Sequence, residues 1–112
     1  MGERRGSGDT IGALMAVHVL ALTVEIRLPA SHSLKEKRAI IKTILEGARN
    51  RFAVSSAETD HQDIWQRAEL GFAVVSGSPS QAEKVIDDLD RFVWSFPEID
   101  VLHTARTWSE VD

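Results

Sequence analysis

The chain has 112 residues, 43% hydrophobic and 27% charged, which suits one globular domain with a single two-layer core. It has no cysteine, which excludes disulfides, thiolate zinc sites and cysteine nucleophiles and fits a reducing compartment. The net charge of -4 excludes a generally basic surface, so a nucleic-acid role needs a local basic patch.

Residues 1–14 are rich in Gly, Ser and charge and are expected to form a disordered tail, with residues 15–112 as a single domain. Met15 stands just before the first strand and reads as the ancestral start. The mostly apolar run 11–24 follows Arg4 and Arg5 and imitates a secretory leader. It is too short to span a bilayer, which takes about 20 apolar residues. Asp9 interrupts the would-be basic leader, and cleavage would remove a strand the fold needs. A cytoplasmic location with no membrane partner is expected.

Residues 16–28 alternate as a strand. His18, Leu20, Leu22, Val24, Ile26 and Leu28 share one face; Val17, Val19, Ala21, Thr23, Glu25 and Arg27 share the other, which turns polar toward its end. A helix follows over 34–52. Ser33 is its N-cap and Glu36 completes a capping box. At about 100° per residue, Leu34, Ile41, Leu45, Ala48 and Phe52 line one side and Lys35, Arg38, Lys42 and Arg49 an adjacent one. Gly47 is a weak point unless something packs closely against it.

Residues 53–59 read as a short strand, 60–63 as a polar turn, and 65–76 as the longest strand. Ser78, Pro79 and Gln81 open a second helix, with an acidic outer face of Glu83, Asp87, Asp88 and Asp90; Pro97 stops it. Residues 99–108 give a last strand. The order strand, helix, strand, strand, helix, strand predicts an α+β, ferredoxin-like βαββαβ fold. It has a four-stranded antiparallel sheet in order 4-1-3-2 with two helices on one face.

The first candidate site is the basic helix. Lys35, Lys37, Arg38 and Lys42 crowd its first two turns, and only Glu36 and Glu46 are acids within it. Such a stripe can track a nucleic-acid backbone. The plainer alternative is a solvated face whose lysine stems cover apolar rim. Lys37 is odd, since it lies at the border of the apolar face. Cations in a first turn oppose the helix dipole, and a bound anion would relieve this. Region 31–38 is therefore the best anion-site candidate, with His32 adding to it.

The open sheet face carries no aromatic on either central strand, so base stacking of the RNA-recognition type is disfavoured there. Glu25, Arg27, Arg67 and Glu69 read as a cross-strand charge lattice. The less polar end, with Val17, Val19, Ala21, Ala73 and Val75, suits a protein interface. Glu58, Asp60, His61 and Asp63 are the one acid–imidazole cluster, and a polar turn explains them without metal or acid–base chemistry. Structural packing is expected for Trp65, Trp94 and Trp108, and a satisfied buried histidine for His18.

Leu28-Pro29 with Ser33-Leu34-Lys35-Glu36-Lys37-Arg38, then Ala57-Glu58 and Asp63-Ile64-Trp65-Gln66-Arg67-Ala68, resembles the small bacterial YlxP-like proteins, the domain-of-unknown-function 503 family. The likeness runs from Ala16 to about Trp108. It implies a ferredoxin-like fold and no established activity, catalytic residue or cofactor. The family's gene neighbourhood beside translation initiation and ribosome maturation factors suggests RNA or ribosome binding.

The sequence thus points to a non-enzymatic domain that contacts RNA or a ribosome through Lys35, Lys37, Arg38, Lys42 and His32. The alternative is a protein-interaction or homodimerisation module using the open sheet face.

Overall fold

The computed structural model describes residues 16–109; the expected tail over 1–14 lies outside the described residues. The elements are β1 (His18–Arg27), α1 (Leu34–Phe52), β2 (Ser55–Asp60), β3 (Arg67–Ser76), α2 (Pro79–Trp94) and β4 (Asp100–Ser109). All neighbouring strands pair antiparallel in one sheet, in the order β2-β3-β1-β4. Read from the other edge this is 4-1-3-2, the predicted order.

The alternation in β1 and β3 builds the two layers. Leu22 faces Phe72 and Val24 faces Leu70 across the central pair. These side chains are buried with Ile41, Ile44, Leu45 and Ala48 of α1 and Ala82, Ile86, Leu89 and Val93 of α2 in one core. The helices therefore cover one face of the sheet, and the other face is half-exposed. Register shifts at Glu25/Ile26 of β1 against β4 and at Glu58/Asp60 of β2 against β3 mark a bulge near each edge. Bulges there weaken edge-to-edge pairing.

Both helix starts use the predicted caps. The Ser33 hydroxyl accepts from the Glu36 N–H, and the Ser78 hydroxyl from the Gln81 N–H. The strand boundaries move by one or two residues. Ala53 is not in a strand but is the left-handed C-cap of α1, with φ 52°. Trp65 and Gln66 belong to the turn before β3, which begins at Arg67. At Gly47, a Cβ would lie 2.7 Å from Phe92 Cζ, so the glycine admits the ring and brings the helices together.

The tryptophans depart from expectation. Trp65, Trp94 and Trp108 are 46%, 59% and 44% exposed, so none is a core side chain. His18 is half-buried and meets Trp108 edge to face, with ring centroids 6.5 Å apart. No helix among the described residues is long and apolar enough to cross a membrane.

Candidate functional site

The two most distinctive stretches of the sequence meet at one end of the molecule. Pro29 has no N–H to continue a ladder, so the chain leaves β1 there and turns into α1. The Leu28 N–H donates to the Gln66 carbonyl at 2.9 Å, and the Gln66 side-chain amide donates to the Ser31 carbonyl at 3.3 Å. The turn before α1 is thus tied to the turn before β3. Ser31 is buried and its hydroxyl donates to the Ser33 carbonyl at 3.1 Å.

Lys37 fastens these parts from beneath. It is fully buried, and its Nζ lies 2.5 Å from the His61 carbonyl, 2.6 Å from the Ile64 carbonyl and 2.8 Å from Glu58 Oε2. A buried ammonium is tolerable only when opposite charge and acceptors replace its water. Here a carboxylate and two carbonyls do so. This corrects the expectation for Lys37 as a phosphate contact. It points inward and spends its charge holding the 61–64 turn against α1. Its position at the border of the apolar face was the sign in the sequence.

The remaining sequence-predicted residues lie on the surface. His32, Lys35, Arg38 and Lys42 are exposed. Lys42 comes within 4.0 Å of Glu46, one turn on, while no ion pair among the described residues engages Lys35 or Arg38. Arg49, farther along the stripe, donates to the Ser56 carbonyl at 2.9 Å and so caps the free edge of β2. The helix start itself is partly occupied. Glu36 Oε1 accepts the His32 N–H at 2.8 Å, and Ser33 Oγ accepts the Glu36 N–H at 3.1 Å. The chain's own carboxylate therefore answers the helix dipole, and an added anion would sit on the side chains of the stripe rather than on free backbone N–H groups.

The acid–imidazole cluster does not converge. Glu58 turns to Lys37, while His61 Nε2 lies 3.3 Å from Glu25 Oε2 on the open sheet face. His61 adopts a left-handed backbone, φ 65°, and its N–H donates to Asp60 Oδ1 at 2.7 Å. Among the described residues no three His, Cys, Asp or Glu side chains are grouped to hold a metal ion. Of the predicted charge lattice one pair forms, on the diagonal, because Glu25 stands opposite Glu69 and Arg27 opposite Arg67; the other two charges turn to partners outside it. Arg67 pairs with Glu25, Arg27 with Asp100 at 3.0 Å, and Glu69 accepts the Thr59 hydroxyl at 2.6 Å. Arg67 first, and then His61, hold the Glu25 carboxyl below its ordinary value.

Two features were not foreseen. Ile64 and Trp65 are each 46% exposed, side by side on the turn that Lys37 pins. The centre of the open sheet face is a shallow trough of about 370 Å³ lined by small residues, including Ala21, Thr23, Ala57, Gly71 and Ala73. At Gly71 a Cβ would lie 2.8 Å from the Thr59 methyl, which crosses the strand there.

The profile of the family described as "Protein of unknown function (DUF503)" matches residues 19–106. "Uncharacterized protein YlxP" of Bacillus subtilis (strain 168) is 47% identical over 76 residues, 68% of this chain and 83% of that protein. The matched region takes in the joined turns, the buried lysine and the basic stripe, and the chain belongs to the DUF503 family.

Proposed function

We propose that this protein is a non-enzymatic RNA-binding domain that docks on RNA or on a ribonucleoprotein such as the ribosome. The contact runs along α1 through Lys35, Arg38 and Lys42, with His32 at its start. The observation that carries this reading is the exposure of these three cations on one helix face, with Lys35 and Arg38 engaged by no acid among the described residues. Cations without protein partners neutralise phosphates and release condensed counterions. The acidic side of the molecule lies elsewhere, on α2, where Arg106 meets Asp87 at 2.6 Å and Lys84 meets Asp88 at 3.3 Å. That separation of charge orients an otherwise acidic protein toward RNA. The triple variant K35E/R38E/K42E should keep its fold and lose binding to total RNA and ribosomes. Unchanged binding by the folded variant would refute the reading.

A second reading rests on the trough of small residues on the open sheet face. Without bulky side chains, that face admits close approach of a second sheet, and Val75 is 69% exposed at its apolar end. Two copies packed face to face would dimerise the protein. Sedimentation should then show a concentration-dependent dimer that Ala73→Arg dissociates. A monomer at all concentrations would exclude it.

A further inference from the structure

We infer that the cleft between the last turn of α1 and the C-terminal half of α2 is a binding site for a singly charged carboxylate carried on an apolar group. The cleft takes no residue from the basic stripe, so the inference is independent of the RNA reading.

The cleft has a volume of about 410 Å³ and is lined by Arg51, Phe52, Asp88, Arg91, Phe92 and Ser95. That volume is in the range of small-ligand sites, which pair apolar walls with a few converging polar groups. The apolar wall is set by the helix crossing. Phe92 is seated against Gly47, and Phe52 meets it edge to face at 5.5 Å. Arg51 lies over both rings, its Cζ 5.2 Å from the Phe92 centroid and 5.7 Å from that of Phe52. The rings steady the guanidinium. No ion pair among the described residues engages Arg51.

A planar guanidinium without an acid partner matches a carboxylate through two parallel hydrogen bonds. Arg91 brings a second guanidinium to the cleft, and Asp88, which pairs with both Arg91 and Lys84, brings a carboxylate. The lining charges, Arg51 and Arg91 against Asp88, leave one positive charge to be answered. Asp88 and the negative end of the α1 dipole both oppose a phosphate dianion more than a carboxylate. The Ser95 hydroxyl donates to the Phe92 carbonyl at 2.6 Å, so the guanidiniums remain as the donors. The phenylalanine rings give an apolar group beside the carboxylate a surface to cover. A small aromatic acid and the C-terminal residue of another protein chain both present this chemistry.

The test is a heteronuclear NMR titration of the full chain with phenylacetate, with phenylacetamide as the neutral analogue and phenyl phosphate as the dianion. Phenylacetate should shift the amide signals of Arg51, Phe92 and Ser95 with saturation, at a Kd of about 1 mM, and phenylacetamide should not. Arg51→Gln should raise that Kd about tenfold and Asp88→Asn should lower it, with thermal melts checking that both variants fold. K35E/R38E/K42E should leave it unchanged. A hexapeptide ending in phenylalanine separates the two sources: tighter binding than phenylacetate assigns the site to a chain terminus, and no gain assigns it to a small acid. Equal shifts by acid and amide, a Kd that Arg51→Gln leaves unchanged, or tighter binding of phenyl phosphate than of phenylacetate would overturn the inference.

Discussion

Lys37 Nζ lies 2.5 Å from the carbonyl oxygen of His61, 24 residues away in sequence and fully shielded from solvent. The ammonium links a helix, a turn and, through Glu58, a strand. Replacing it with methionine keeps the aliphatic length but strands the Glu58 carboxylate and two carbonyls. Lys37→Met should cost about 3 kcal/mol in urea unfolding, the scale for one missing partner of a buried pair. Adding Glu58→Gln should recover part of it. A loss under about 0.5 kcal/mol would show that the clamp holds nothing.

Gly47 tests the helix–helix contact. Alanine would ordinarily gain about 1 kcal/mol inside a helix. Here its Cβ would press on Phe92, a ring fixed edge to face between Phe52 and Phe96 at 5.5 and 5.1 Å. Gly47→Ala should therefore be net destabilising by about 1 kcal/mol, seen calorimetrically as a fall in Tm of about 4–8 °C. A rise in Tm would mean the ring yields freely.

At Ala53 the opposite sign is expected. Its φ of 52° is costly for a side chain with a Cβ and costless for glycine. Ala53→Gly should stabilise the protein by about 0.5–1 kcal/mol, after the entropy that glycine adds to the unfolded chain. Equilibrium unfolding of the single variant measures it.

Stability should also fall in acid. Arg67 first, and then His61, hold the Glu25 carboxyl below 4.5; Lys84 first, and then Arg91, hold Asp88 below 3.8. Both groups bind protons more weakly folded than unfolded. Their contribution is present above the unfolded values and is lost as pH falls through the lower, folded ones. Unfolding midpoints should drop below about pH 4.5, and Glu25→Gln should flatten that slope. Equal slopes would show that the Glu25–Arg67 pair is spent on solvent.

The fold was legible because its local signals agree. Alternation in β1 and β3, caps at Ser33 and Ser78 and the long crossovers all point to one topology. The site was less legible because it depends on contacts between distant segments. The helical wheel could place Lys37 at the border of the apolar face. It could not show that the 61–64 turn folds over that border with two carbonyls aimed at it. Trp65 reads in sequence as the start of a strand, with the open-face parity of Arg67 and Glu69. The structure instead puts it in the turn that Gln66 ties to Leu28 and Ser31. Lys35, Arg38 and Lys42 needed no tertiary information, since their spacing alone puts them on one outward face.

The central claim is that these three cations bind RNA phosphates. Its most direct test is the affinity for a 12-nucleotide single-stranded RNA measured as salt is raised. Three neutralised phosphates predict a slope of log K against log salt of about -2. The slope should vanish in K35E/R38E/K42E. A wild-type affinity that does not change with salt, or a slope that survives in the triple variant, would contradict the claim.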